Sequence, residues 1–345
     1  MKTGREGFSP RMFLMFTLVT AAVFAICVSI GSVQIPLNDI AAFFIRIFNR
    51  TDISADNTFS KILSVRLPRV ICVALTGASL SVCGGAMQGL LRNPLADGST
   101  LGVSSGASLG AVIAIAFGVA IPGIPFAGTA IMAMLFAFIS LLIILTLAYR
   151  LDFSLSTNTI ILIGVIYSMF VSSIIAFITF FASDKVKQIT FWTMGSLSGA
   201  NLSNALVLAS ALVICGGVIM ARTRELNAFA VGEDNARHIG VNVERVKLVI
   251  MISVSALIGV CVSIGGTIGF VGLVTPHMVR MISGPNHKRL LPACVFGGAV
   301  FLLLADLAAR IVLNPLELPI GVVTSFSGAL LFIYIFCKSG RGGHA

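Results

Sequence analysis

Charged residues are scarce in this chain. They make up 10% of its 345 residues while hydrophobic residues make up 57%, against roughly 25% and roughly 45–50% in soluble domains. The mean hydropathy is +1.04. This composition excludes a soluble globule, a disordered chain and a nucleic-acid-binding protein. The net charge of +10 comes from Lys and Arg residues scattered between apolar runs, a distribution that favours membrane topology over a polyanion-binding patch.

Sequence patterns for catalysis, metal binding or disulfides are also missing. The seven Cys residues form no CxxC pair, and the four His residues form no HxxxH or HExxH motif. The Cys residues lie in or at the ends of apolar runs, which indicates a packing role. The chain has no GxxxxGK[ST] phosphate-binding loop, so we expect it to bind no cofactor and to hydrolyse no ATP itself. The sequence predicts no catalytic and no metal-ligating residues.

Long uncharged runs dominate what remains. Asp97 and Arg150 enclose 52 uncharged residues, whereas one membrane-spanning helix needs about 20, so this run predicts two helices with a turn at 121–125. Hydrocarbon offers no partner for unpaired backbone groups, and the alternation of a β-barrel is absent, which favours helices. The sequence predicts an all-α polytopic fold of about ten spans, near 12–33, 68–91, 101–120, 127–149, 157–181, 203–221, 246–265, 268–282, 290–310 and 318–337.

The distribution of basic residues gives an orientation. Ten spans place both termini on one side of the membrane. With the N-terminus inside, fifteen of the 23 Lys and Arg residues face the cytoplasm and eight face the outside, as the positive-inside rule favours. The first span lacks a small-residue cleavage signature, so we expect a retained anchor. The prediction is a single multi-pass domain over residues 1–345, in the cytoplasmic membrane, with both termini cytoplasmic.

Two segments of the chain are similar to each other. Ala74–Pro94 and Ala256–Pro276, aligned at an offset of 182, match at seven of 21 positions, including two Gly pairs and the final Pro. Spans 2 and 7 run in opposite directions, so we expect an inverted repeat that relates spans 2–5 to spans 7–10. Chance similarity between two Gly-rich helices is the alternative. The Gly-rich stretches 98–102 and 265–269 are predicted to interrupt helices.

Several polar and small-residue stretches follow one another in a distinctive order: 66–69, 87–97, 101–108, 226–245, 269–277, 284–292, 305–310 and 317–323. Together they resemble the permease subunits of bacterial ABC importers for iron–siderophores, haem and cobalamin, the FecCD-type family. The resemblance covers roughly residues 60–335. It implies a type II ABC importer permease fold in a bacterial membrane.

The resemblance also implies a function and a set of partners. The expected function is ATP-driven import of a metal chelate by alternating access, with an iron–siderophore as the first candidate and haem or cobalamin next. The expected partners are two ATPase subunits, which use ATP and Mg, a second permease copy or paralogue, and an extracytoplasmic substrate-binding protein. The sequence does not separate a homodimer from a heterodimer.

The polar segment 222–244, between spans 6 and 7, is the candidate coupling element. In the family this loop docks into the ATPase subunit. Gly232 and Gly240 can bound a short helix whose first turn holds Glu233 and Asp234. A solvated loop is the alternative. The candidate coupling residues are Gly232, Glu233, Asp234, Ala236, Arg237 and Gly240.

Three arginines are expected at the outer surface. Arg66 and Arg69 come just before span 2, and Arg310 ends span 9. Their outward position runs against the positive-inside trend. The resemblance implies that they dock acidic residues of the binding protein, where charge pairing supplies steering and register. The alternatives are interfacial snorkelling and, for Arg310, an i,i+4 pair with Asp306.

Ser156 and Thr157, at the cytoplasmic start of span 5, are the candidate gate by resemblance. Capping of the helix is the competing interpretation and requires no gate. Two other functions stay open for the whole chain. An ion-gradient-driven transporter normally needs an ionisable site near the bilayer centre, and Asp306 is the one acid expected within a span. An ABC permease for free metal ions is the nearer alternative, which the long match over 66–97 disfavours.

Overall fold

The computed structural model describes residues 8–31, 58–121, 127–152 and 156–341; for residues 58–61, 99–100, 336 and 338–341 it describes the backbone alone. Helices account for nearly all of these ranges. They are α1 (Pro10–Ser29), α2 (Thr58–Leu90), α3 (Val103–Phe117), α4 (Ala127–Leu151), α5 (Thr157–Phe181), α6 (Val186–Thr193), α7 (Leu202–Ala221), α8 (Thr223–Phe229), α9 (Glu233–His238), α10 (Val243–Gly265), α11 (Val271–Ser283), α12 (His287–Ile311) and α13 (Ile320–Arg341).

Each predicted span coincides with a helix. Within the described ranges, seven helices are long and apolar enough to cross a membrane, namely α1, α2, α4, α5, α7, α10 and α12. The three remaining predicted spans correspond to α3, α11 and α13. The all-α polytopic fold is therefore confirmed. The turn predicted at 121–125 lies, apart from Ile121, outside the described residues.

Polar side chains fix where several helices begin. Each accepts a hydrogen bond from a backbone N–H in the first turn, which would otherwise have no partner within the helix. Serine does this for α1 and α5, and asparagine does it for α7, α10 and α12. These capping residues are Ser9, Ser156, Asn201, Asn242 and Asn286.

The two halves of the chain pack against each other reciprocally. Helix α2 packs against α11 and α12, while α10 packs against α3 and α4. Gly77 of α2 and Gly259 of α10, which the internal alignment pairs, face the opposite half. A methyl group at Gly77 would meet Gly298 of α12, and one at Gly259 would meet Ala137 of α4. This exchange of partners is the pattern that the inverted repeat predicts.

Both predicted helix interruptions are present. Helix α3 begins after Gly102, whose φ of +71° favours glycine. Helix α10 ends at Gly265, and Gly266 follows with φ +67°. Phe270, which precedes α11, also has a positive φ of +67°, a conformation uncommon for a residue with a bulky side chain. The membrane part of each half is thus built from broken as well as continuous helices.

The prediction that span 2 begins at residue 68 is wrong. Helix α2 begins at Thr58 and contains Pro68. Proline removes one backbone hydrogen bond from a helix interior, which membrane helices tolerate. Arg66 and Arg69 therefore lie within α2 rather than before it. This places both guanidinium groups among neighbouring helices.

Candidate functional site

The segment between α7 and α10 forms the two short helices α8 and α9. Gly232 precedes α9 with φ +123°, and Gly240 follows it with φ +89°. Both values lie where glycine is favoured, because it has no Cβ to clash with the backbone. The two glycines therefore set the length of α9, and Glu233 and Asp234 form its first turn.

The surface of α9 combines charges with apolar side chains. Asp234 and Arg237 are exposed, whereas Ala236 is fully buried. Val231 and Ile239, on either side of the helix, are 70% and 71% exposed. Exposed large apolar side chains rimmed by polar residues can mark an interaction site. Sequence reasoning missed these two residues, although their place beside the two glycines of a polar segment was an available signal.

Two sets of contacts attach this segment to the spans. Glu233 Oε2 lies 2.7 Å from Lys247 Nζ near the start of α10. Asn227 of α8 donates from Nδ2 to Asn286 Oδ1 at 2.9 Å, and its own Oδ1 accepts from the backbone N–H of His287 at 2.9 Å. Helix α9 is thus held to α10, and α8 is held to the start of α12.

Arginines and acids form a charge cluster between α2, α12 and the residues before α13. Arg69 Nη2 lies 2.9 Å from Asp306 Oδ1, and Arg69 Nη1 lies 2.7 Å from Glu317 Oε2. Arg310 Nε lies 2.9 Å from Asp306 Oδ2. The Asp306 carboxylate is almost fully buried between the two guanidinium groups. Buried charges require such partners because they have lost their hydration.

The same cluster caps the end of α1. Arg66 Nη1 donates to the carbonyl of Val28 at 3.0 Å, while Arg310 donates to the carbonyls of Cys27 and Ile30 at 3.1 Å each. The last carbonyls of a helix have no partner within it and carry partial negative charge. Both arginines are buried, with 7% and 3% of their surfaces exposed. They join α1 to α2 and α12.

The docking role predicted for Arg66, Arg69 and Arg310 stays a prediction. All three make contacts within the chain, and the i,i+4 pair between Asp306 and Arg310 is present. Arg69 is the least buried of the three, with 12% of its side chain exposed, and its partner Glu317 is 39% exposed. The part of the cluster nearest to the solvent is therefore the Arg69–Glu317 pair.

The candidate gate residues lie at the first turn of α5. Ser156 Oγ lies 2.8 Å from Thr159 Oγ1 and accepts from the Thr159 N–H at 3.4 Å. Asp152 Oδ2 accepts from the Ser156 N–H at 3.1 Å. Ser156 therefore caps α5. The Thr157 hydroxyl is buried and has no hydrogen-bond partner among the described residues. The gating role of Ser156 and Thr157 stays a prediction.

One face of α5 carries small and hydroxyl-bearing side chains that sequence reasoning missed. A shallow depression there is lined by Ser105 of α3 and by Gly164, Ser168, Ser172 and Ser173 of α5, together with the apolar Val165 and Met169. Ser172 and Ser173 are exposed. In a membrane, small and hydroxyl-bearing surfaces favour contact with protein or with a polar path over contact with lipid. Their helical spacing was the available sequence signal.

The cysteines are unpaired, and Cys83, Cys261 and Cys294 are buried in the core. Within the described ranges, no group of three or more His, Cys, Asp or Glu residues is placed to hold a metal ion. The buried cysteines fill space between α2, α10 and α12.

Comparison with known proteins gives close relatives over most of the chain. Residues 18–338 match the FecCD transport family. The hemin transport system permease protein HmuU of Yersinia pestis is 34% identical over 334 residues, which cover 95% of this chain and 96% of the relative. The vitamin B12 import system permease protein BtuC of Citrobacter koseri is 37% identical over 279 residues, which cover 80% and 83%. The ABC transporter permease protein YvrB of Bacillus subtilis is 39% identical over 320 residues, which cover 92% and 91%.

Two solved structures share the fold. One, an inward-facing conformation of a metal-chelate type ABC transporter, matches with a TM-score of 0.80 and 30% identity, over 95% of this chain and 99% of that one. PsaBC from Streptococcus pneumoniae, in complex with an Fab, matches with a TM-score of 0.51 and 13% identity, which supports the fold alone. The relatives are permease subunits, which are components of transporters rather than enzymes. The resemblance seen in the motifs is thereby confirmed, and the chain belongs to the FecCD transport family.

Proposed function

We propose that this chain forms the membrane path of an importer for a metal chelate, with an iron–siderophore as the first candidate and haem or cobalamin next. Two relatives are named for hemin and vitamin B12 transport, and the structural neighbour is a metal-chelate type transporter. The proposed mechanism is alternating access driven by two ATPase subunits that use ATP and Mg. Both termini and the segment 222–244 face the cytoplasm in this proposal.

The observation that carries the proposal is the construction of the segment 222–244. Helix α9 exposes Asp234 and Arg237, and the residues that flank it expose Val231 and Ile239. This mixture of apolar and charged groups is suited to a protein partner. The segment is also fastened to α10 and α12, so a partner that moves it acts directly on membrane helices. A merely solvated loop would require neither feature.

The proposal includes a second permease copy and an extracytoplasmic binding protein. The serine-bearing face of α5 is suited to line a path between two permeases, because its hydroxyl groups offer hydrogen bonds without charge. Docking of the binding protein through Arg66, Arg69 and Arg310 would act mainly at the Arg69–Glu317 edge, since the other two side chains are buried. Charge pairs at the rim of such a contact supply steering and register.

The ion-gradient alternative finds little support in the position of Asp306. Its carboxylate lies between Arg69 and Arg310 at 2.9 Å from each. One carboxylate oxygen contacts each guanidinium group, so both oxygens are used to join α2 to α12, whereas an ion-coupling site needs polar atoms that are free to bind the transported ion. Asp306 is therefore a structural anion in this proposal.

Uptake by the reconstituted complex tests the proposal. The chain would be purified with its ATPase subunits, placed in proteoliposomes and supplied with the binding protein, and uptake of a ferric hydroxamate siderophore, hemin and cyanocobalamin would be followed in parallel. We expect ATP-dependent uptake of one of these probes, and loss of that uptake when the phosphate-loop lysine of the ATPase is replaced. Uphill uptake by this chain alone, driven by an ion gradient without ATP, would contradict the proposal.

A further inference from the structure

A fully buried cation lies near the cytoplasmic end of α10. Lys247 is in the second turn of that helix, and its side chain has no exposed surface. An ammonium group removed from water is tolerated when a close anion and further hydrogen bonds replace its hydration. Glu233 provides the anion, with Oε2 at 2.7 Å from Nζ.

The partner of Lys247 belongs to a different element. Glu233 is the first residue of α9, and 18% of its side chain is exposed. The other end of α9 is linked to α10 as well, because Arg237 Nη2 lies 2.5 Å from Glu244 Oε1 in the first turn of α10. Helix α9 is thus held against α10 at both of its ends. A displacement of α9 should therefore move α10 as well, rather than only bend the residues that connect the two helices.

The other ion pairs of this segment are built differently. Arg222 and Glu225 pair within one helical turn, with 39% and 22% of their side chains exposed. Exposed pairs contribute little and tolerate rearrangement. A buried pair does not, since loss of either partner leaves the other charge uncompensated. The Arg237–Glu244 pair is exposed as well, with 44% of each side chain accessible. The Lys247–Glu233 pair is therefore the buried ionic contact that fixes the position of α9 against a span.

Helix α10 in turn contacts the first half of the molecule. It packs against α2, α3 and α4. Helix α8 is attached separately to α12 through Asn227 and Asn286. The two short helices therefore reach different spans, α9 through an ion pair and α8 through amide hydrogen bonds.

We propose that Lys247 and Glu233 are positioning residues that transmit a displacement of α9 to α10, and so couple ATP hydrolysis to opening of the path. The inference rests on the proposed function, in which an ATPase subunit grips the segment 222–244. It goes further by naming one pair as the mechanical link to one span. Its specific consequence is that loss of the pair uncouples hydrolysis from transport.

The test measures the number of substrate molecules transported per ATP hydrolysed. It uses the complete complex in proteoliposomes and whichever of the ferric siderophore, hemin or cyanocobalamin the wild type carries. The variants are Lys247→Met and Glu233→Gln, with Lys247→Arg as the conservative replacement. Glu225→Gln is the matched control. Glu225 lies in the same segment as Glu233 and its side chain is similarly exposed, but it pairs with Arg222 rather than with a residue of α10. A purely structural defect lowers the amount of complex and both rates together, and leaves the ratio unchanged.

We expect Lys247→Met and Glu233→Gln to lower the ratio by about fivefold or more, and Lys247→Arg and Glu225→Gln to change it by less than about twofold. If Glu233→Gln fails to assemble, Lys247→Met decides, since water can reach the partly exposed carboxylate that this change leaves behind. A wild-type transport ratio in Lys247→Met would overturn the inference and leave the proposed function standing. The same holds if both variants assemble poorly but the small amount of complex recovered from each has a wild-type ratio. A wild-type complex that hydrolyses ATP without transporting any of the probes would instead overturn the proposed function, and the inference with it.

Discussion

Helices α2 and α4 both cross the membrane, but the more apolar of the two is the less buried. The apolar stretch of α2 has a mean hydropathy of 1.9, and 83% of its residues are buried. That of α4 has a mean hydropathy of 2.8, and 28% of its residues are buried. In water the more apolar helix would be expected inside. In a bilayer the lipid is as apolar as the side chains, so close packing of small residues and polar contacts decides which helix is central.

The same division extends through the molecule. The central helices α2, α10 and α12 are 83%, 67% and 56% buried over their apolar stretches, and the peripheral helices α1, α5 and α7 are 11%, 22% and 22% buried. Gly77 and Gly298 let α2 and α12 approach until their backbones touch. Most of the charge cluster around Asp306 also lies on these two helices. Small residues and paired charges therefore hold the centre, and large apolar side chains cover the periphery.

The largest expected effect comes from removing the Asp306 carboxylate, which lies in the buried centre of the charge cluster. Replacement Asp306→Ala leaves Arg69 and Arg310 without their shared partner, and we expect the free energy of unfolding to fall by about 3–5 kcal/mol. Thermal unfolding of the purified complex in detergent would measure the loss. The control Glu317→Gln acts on a side chain that is 39% exposed, and we expect a loss below about 1 kcal/mol. Equal losses from both changes would show that burial does not govern the energetics of the cluster.

Two glycines, one in a central helix and one in a peripheral helix, sharpen the comparison between these two regions. A methyl group at Gly84 of α2 would collide with the backbone of Gly272 in α11, whereas one at Gly217 of α7 would meet nothing within 4 Å. We expect Gly84→Ala to lower stability by about 1–3 kcal/mol through overpacking, and Gly217→Ala to change it by less than about 1 kcal/mol. The same thermal assay measures both. A Gly84→Ala protein as stable as the Gly217→Ala protein would mean that helix approach is not limiting.

The smallest expected effect concerns the end of a peripheral helix. Replacement Ser156→Ala removes the cap of α5 and should lower stability by about 1 kcal/mol, while Ser156→Asn should retain it because asparagine also caps. If Ser156 and Thr157 close the path, Ser156→Ala and Thr157→Ala should in addition let substrate leak through proteoliposomes without ATP. Unchanged stability together with a leak would replace the capping interpretation of Ser156 with the gating one.

Much of the fold can be predicted from the sequence, because the lengths of uncharged runs are tied to the thickness of the hydrocarbon layer. The 52 uncharged residues between Asp97 and Arg150 require two helices, and α3 and α4 occupy that run. Glycine positions also predict where helices are interrupted, because Gly102 and Gly266 adopt backbone conformations that other residues disfavour.

The contacts of the candidate sites could not be predicted in the same way. Lys247 and Glu233 are 14 residues apart, and Arg310 reaches a carbonyl of Ile30, 280 residues away. A sequence pattern shows that a charge lies near a span, but the partner depends on how the helices pack. Arg66 was misplaced for a related reason, because nothing in the pattern before Pro68 marks the early start of α2.

The most direct test of the central claim, that an ATP-driven partner grips the segment 222–244, is photo-cross-linking from Ile239 in membranes that contain the complete complex. A photoreactive amino acid would replace Ile239 beside α9 and, as the control, Val213 of α7, which is 73% exposed on a spanning helix. We predict a cross-link from position 239 to the ATPase subunit and none from position 213. A cross-link from position 239 to the extracytoplasmic binding protein, or a yield to the ATPase no higher than that from position 213, would contradict the account.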